Sequence, residues 1–195
     1  SLGKRSDTDS DVIQNLASFY LDENQYEKAA VIIDGMLSGS SEGSDLHYLA
    51  GVVNDELNNL DKAIKHLKQV EPESRFFKNA AIHIAFVYQK AGQAEEAIEY
   101  LNKVIEKFPE DPELFHYLGI LYEDFEKYSE AESALKRGLE VDPENAKLHF
   151  RLGVIYDKLD RKKDCIEQMK IVIGLEPDNA KIGRASCRER VCHRV

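Results

Sequence analysis

Residues 112–145, PELFHYLGILYEDFEKYSEAESALKRGLEVDPEN, decide the fold. Apolar side chains fall at helical spacing twice within them, as Leu118 and Tyr122 and then as Ala131 and Leu135, so the stretch predicts two amphipathic helices. Reading outward, these residues recur at a fixed step. Gly119 belongs to a series Ala17, Gly51, Ala85, Gly119, Gly153, and Ala131 to a series Ala29, Ala63, Ala97, Ala131, Cys165, both spaced by 34 residues. A large apolar series (Ile33, Leu67, Leu101, Leu135, Met169), an aromatic one (Tyr20, Tyr88, Tyr122, Tyr156) and the prolines Pro109, Pro143 and Pro177 keep the same step. Packing explains the small series: where two helices cross closely, a larger side chain would overfill the contact at a cost of about 1–3 kcal/mol.

The set Phe115, Leu118, Gly119, Tyr122, Tyr128, Ala131, Leu135 and Pro143 resembles the tetratricopeptide repeat, of the bacterial multi-repeat type. The resemblance implies an all-α fold, an α-solenoid of five 34-residue helix-turn-helix units stacked into a right-handed superhelix. The units are expected at 10–43, 44–77, 78–111, 112–145 and 146–179, after a lead-in at 1–9 and before the first two residues, 180–181, of a truncated sixth. They cover 170 of the 195 residues.

Within each unit the first helix must end at Asn24, Asn58, Gly92, Glu126 or Asp160, a place that suits a left-handed residue. Glu126 suits it least, and a less regular or strained turn is expected there. Pro72 falls three residues before the place of the later prolines, so the second helix of unit two should stop early, with Ser74 capping the next helix and 71–77 irregular. The segment SGSSEGS, 38–44, reads as a flexible connection, and Asn54 replaces the tyrosine of its series.

After Asn179 the pattern breaks. Ile182–Val191, IGRASCRERV, matches the translation of a common sequencing adapter, and 182–195 is read as an artefactual tail. The competing readings are weaker: Cys187, Cys192 and His193 lack a fourth ligand for structural zinc, and the arginines would make an isolated basic tail. Removing four arginines and one glutamate takes the formal charge from -10 to -13. It leaves Cys165, at a small-residue packing position, as a buried thiol rather than a nucleophile. Ile166, Met169, Val172 and Ile173 of the last second helix are then expected to form an open apolar end, prone to end-to-end self-association.

With 43% hydrophobic and 32% charged residues the chain can bury a core, and its negative charge opposes binding to nucleic-acid phosphates. No apolar run approaches the ~20 residues of a membrane-spanning helix, so no direct membrane insertion is expected. Neither a glycine-rich phosphate loop, an HExxH motif nor a GxSxG turn occurs, and no cofactor, metal or catalytic residue is assigned. His47, His66, His83, His116 and His149 are dispersed, and structural roles are expected for His47 and His149.

Family resemblance implies that each unit's first helix lines a concave groove for a peptide or partner helix. Counted onto this chain, the floor is Tyr48, Val52, Ile82, Phe86, His116, Ile120, Phe150 and Val154, and the border is Asp55, Glu56, Glu123, Asp124 and Asp157. Gln14 and Ser18 fill the floor positions of unit one, and Gln89, Lys90 and Lys158 interrupt the border. A non-catalytic scaffold taking a partner with apolar anchors and basic flanks is the leading expectation. The alternatives are a substrate-positioning region of a larger enzyme, such as a glycosyltransferase or protease-linked machine, and a structural homo-oligomer. The competing reading is that these apolar residues merely pack adjacent first helices together, more so for Val52, Ile120 and Val154 than for Tyr48, Phe86 and Phe150. The lysine–asparagine set with which chaperone-tail adaptors of the family clamp a carboxylate is missing.

Overall fold

The computed structural model describes residues 15–39 and 43–177. They are all helical hairpins and short turns: α1 (15–22), α2 (Tyr26–Ser38), α3 (Ser44–Glu56), α4 (Leu60–Leu67), α5 (Phe77–Lys90), α6 (Ala94–Lys107), α7 (Pro112–Asp124), α8 (Tyr128–Val141), α9 (Ala146–Lys158) and α10 (Lys162–Leu175). The chain divides into two compact units, Ser1–Ala97 and Ile98–Val195. The tail at 182–195, residues 180–181, the lead-in and part of the 38–44 connection lie outside the described residues.

Every hairpin turns through one left-handed residue. Asn24, Asn58, Gly92, Glu126 and Asp160 have φ of 56°, 59°, 74°, 57° and 56°. Each donates its amide to the carbonyl three residues back, and the next amide reaches five back, as Asn58 to Asp55 and Asn59 to Asn54. That double closure satisfies carbonyls the ending helix would otherwise orphan. Glu126 makes the same bonds, to Glu123 at 2.9 Å and from Lys127 to Tyr122 at 2.8 Å. Of the two expectations for this turn, irregularity is not seen, since its hydrogen bonds match the others, and strain is, in the steric cost of a left-handed Cβ.

In the first unit, α3 packs on α2, α4 and α5. A Cβ on Gly51 would fall 2.5 Å from the Leu67 Cδ2, so the glycine is what lets α3 and α4 approach. Asn54 is buried beside it and donates to the Ala50 carbonyl at 2.8 Å, which satisfies its amide without the tyrosine of the series. The helix α4 has only 8 residues, as Pro72 requires, and 68–76 continue in turns. Ser74 does not cap α5 directly. Its Oγ accepts from the Phe76 amide at 3.2 Å, and Phe76, in an αR conformation, is the residue before α5.

The second unit repeats the arrangement. Gly119 faces Leu135, and Gly153 faces Met169, with added Cβ atoms 2.6 Å from the Leu135 Cδ2 and 2.5 Å from the Met169 Cε. Leu148, Leu152, Ile155, Tyr156, Cys165 and Met169 form one buried cluster with Ala131 and Leu135. Met169 thus belongs to the core rather than to an open end, because it fills the space over Gly153; of the expected apolar end, Ile166 is exposed and Val172 and Ile173 are half-buried. Cys165 is buried, as its packing position implies. Asp111 and Asn145 cap α7 and α9 by accepting from the amides of Glu113 (3.0 Å) and Leu148 (3.2 Å).

Candidate functional site

In the first unit, α3 carries Tyr48 and Val52, and α5 carries Ile82 and Phe86. Tyr48, Val52 and Phe86 are half-buried, whereas Ile82 is sunk in the core. In the second unit, α7 presents His116 and Ile120 and α9 presents Phe150 and Val154, all half-buried; Phe150 also packs on the buried cluster of that unit. The residues that directly follow them on the same helices, Val53, Val87, Leu121 and Ile155, are fully buried. Each unit therefore leaves a partly exposed apolar row along its first helices, with the core immediately behind it.

The acidic border is not uniformly open. Asp55 accepts from His83 Nε2 at 2.7 Å and from Lys90 Nζ at 2.9 Å. Burial pushes its carboxyl up, but those hydrogen bonds and the neighbouring charges outweigh it and hold the pKa below the ordinary value. Glu123 is bonded by Arg151 Nη1 at 3.0 Å, while the buried Arg151 Nε has no acceptor. His83 and Arg151 were not assigned from the sequence, yet a signal was there. Each stands 28 residues after its acid, the offset that places an acid late on one first helix opposite a hydrogen-bonding side chain on the next. Glu56 is exposed, Asp157 is half-buried, and neither makes a salt bridge among the described residues; Asp124 is exposed on the same border.

The histidines divide by environment. His149 is buried, with Nδ1 2.7 Å from Gln168 Oε1 and Nε2 2.9 Å from the Pro143 carbonyl, a structural link between α9, α10 and the preceding turn. His116 is held near a pKa of about 4 by burial first, then by the charges of Arg151 and Lys147, so the floor of the second unit is neutral there at pH 7. His47 and His66 face each other across α3 and α4 with Nδ1 atoms 3.3 Å apart, beside a polar cavity of about 530 Å³ lined also by Ser44, Gln69 and Glu71. Burial, then the His47 charge, lowers the His66 pKa. Among the described residues no three His, Cys, Asp or Glu side chains converge as metal ligands, and no helix is long and apolar enough to cross a membrane.

Comparison with known proteins bears on the family and the fold. Two family models described as tetratricopeptide repeat match residues 78–144 and 117–179. No curated protein sequence matches significantly. Among solved structures, MamA (41-end) from Desulfovibrio magneticus RS-1 is similar at 22% identity with a TM-score of 0.66, over 86% of this chain and 95% of that one. YrrB, described as a TPR protein with an unusual peptide-binding site, is similar at 22% identity and a TM-score of 0.58, over 85% and 86%. Another MamA structure matches at 14% identity and a TM-score of 0.66, over 85% and 96%. At these identities the likeness shows the shared helical-repeat fold.

Proposed function

Starting from the chain's membership of the tetratricopeptide-repeat proteins, a family of protein–protein interaction scaffolds, we propose that it holds an extended peptide or partner helix along the faces of its first helices. The observation that carries this reading is the half-buried apolar row: Tyr48, Val52 and Phe86 in one unit, Ile120, Phe150 and Val154 in the other, each backed by a fully buried core. An apolar anchor that completes the burial of such a residue contributes ~1.5–3 kcal/mol. Solved YrrB, a relative in fold, is described as having a peptide-binding site, which is consistent with this use.

The partner's anchors are apolar and its flanks basic. Because Asp55 is paired with Lys90 and hydrogen-bonded to His83, and Glu123 is paired with Arg151, the steering charge comes from Glu56 and Asp157, and it accelerates encounter more than it tightens the complex.

The test is a displayed random-peptide library selected on the purified chain and on Phe86→Glu/Phe150→Glu. Enrichment of apolar-anchored peptides by the parent, lost in the double variant at equal helicity, is expected. Equal enrichment on both proteins removes the groove. A double variant that does not fold would show that these rings serve packing, and Phe86→Ser alone then becomes the comparison.

A further inference from the structure

One site of the proposed groove is already occupied by the chain itself. Early termination of α4 leaves 68–76 as a string of turns, fixed by Val70 buried in the core and by the Glu71 amide donating to Ser44 Oγ at 3.0 Å. That string ends by laying the Phe76 ring flat on Tyr48, with centroids 5.0 Å apart and planes 13° from parallel. The next residue back completes the arrangement. The Arg75 guanidinium lies 4.6 Å from the Phe76 ring centroid, and its Nη2 stands 3.4 Å from the Asp45 carboxylate, one helical turn before Tyr48 on α3.

We infer that Arg75–Phe76 is a built-in stand-in for the groove's ligand, and that the external ligand of the Tyr48–Asp45 site is a segment with an aromatic side chain next to an arginine. This inference rests on the groove reading and gives it a chemistry. A face-to-face aromatic pair, a guanidinium on the ring and a carboxylate for the guanidinium are the three contacts an incoming Arg-aromatic pair would reproduce. The Arg75 side chain is 78% exposed and its ion pair is long, so the stand-in is weakly held and can be displaced. The corresponding place in the second unit is Glu144, so that stand-in belongs to the hairpin with the shortened helix.

The probe is a synthetic peptide of glycine and serine bearing one Arg-Trp pair. The chain contains no tryptophan, so the peptide's own emission reports binding to it. Weak binding to the parent and at least tenfold tighter binding to Phe76→Ala are expected, because the competitor has been removed. Adding Tyr48→Leu to Phe76→Ala should abolish the gain, and Asp45→Asn should reduce it. Binding no tighter to Phe76→Ala than to the parent, at equal helicity, overturns the inference, as does a gain that survives Tyr48→Leu. Should Phe76→Ala lose helicity, Phe76→Leu keeps the volume without the flat ring and is read by the same criteria. Failure here with library peptides still bound through Phe86 and Phe150 would remove the stand-in and leave the groove standing.

Discussion

Glu126 adopts a backbone that costs an L-residue about 1–2 kcal/mol, in a turn whose hydrogen bonds are otherwise complete. Replacing it by glycine should raise stability by ~0.5–1 kcal/mol after the glycine's own entropy is subtracted, read as a higher urea midpoint; a lower midpoint would mean that the side chain earns its place by another contact. The glycines behave differently from one another. A Cβ on Gly119 meets the branched end of a fully buried Leu135, whereas on Gly153 it meets the terminal methyl of Met169, which has rotamers to spare. Gly119→Ala should therefore cost about 1–3 kcal/mol and Gly153→Ala much less, a difference visible in parallel thermal melts. His116 makes stability depend on pH. Its folded pKa, about 4, lies below the ordinary 6.5, so the unfolded chain binds more protons between these values and stability falls as pH drops through that window. The full shift would be worth about 3 kcal/mol in a dry interior; with solvent screening at this half-buried ring, ~1–2 kcal/mol is expected. Unfolding midpoints from pH 7 to 4 should flatten in His116→Gln, with His66, shifted in the same direction, supplying the remainder.

Helix ends show which local signals survive tertiary packing. Asp111 and Asn145 accept amide hydrogen bonds at the starts of α7 and α9, while Gln25, Asn59, Lys127 and Arg161, before the second helices, make no side-chain cap. Asn145→Ala should cost ~1 kcal/mol in chemical denaturation, and Gln25→Ala close to nothing. The hairpin turns, the short α4 and the glycine contacts were legible in the sequence because each depends on one residue type at one fixed offset. Side-chain pairings between helices were less so: Asp55 and Glu123 read as an open acidic border, but their bonds to His83, Lys90 and Arg151 depend on rotamers chosen after the helices have packed. Phe76 was missed for a related reason. Its stacking on Tyr48 follows from where a broken helix leaves the chain, which no periodicity encodes. The turn at Glu126 keeps the common geometry at the cost of strain, because the closure imposed by the packed helices overrides the preference of one residue.

At the level of the whole molecule, comparison of equivalent residues reveals where apolar surface is left uncovered. Leu16 and Phe19 are 43% and 54% exposed, although their counterparts Ala50, Ile84, Leu118 and Leu152, and Val53, Val87, Leu121 and Ile155, are all buried. Ile166 on α10 is 45% exposed. Leu16→Lys with Phe19→Lys should lower both hydrophobic-dye binding and concentration-dependent association in sedimentation; unchanged values would show that this face takes no part in self-contact. The family follows from the period and the interaction role from the family, while the partner's chemistry depends on a few side chains that the period does not fix. The pairing of glycine with a large residue also bears on how fast the chain folds. Gly51 and Leu67, Gly119 and Leu135, and Gly153 and Met169 are each 16 residues apart, so these three close crossings are made by closing short loops. Such closures lose little chain entropy, and a molecule whose tightest contacts are this local should nucleate in any hairpin and complete folding within milliseconds or less.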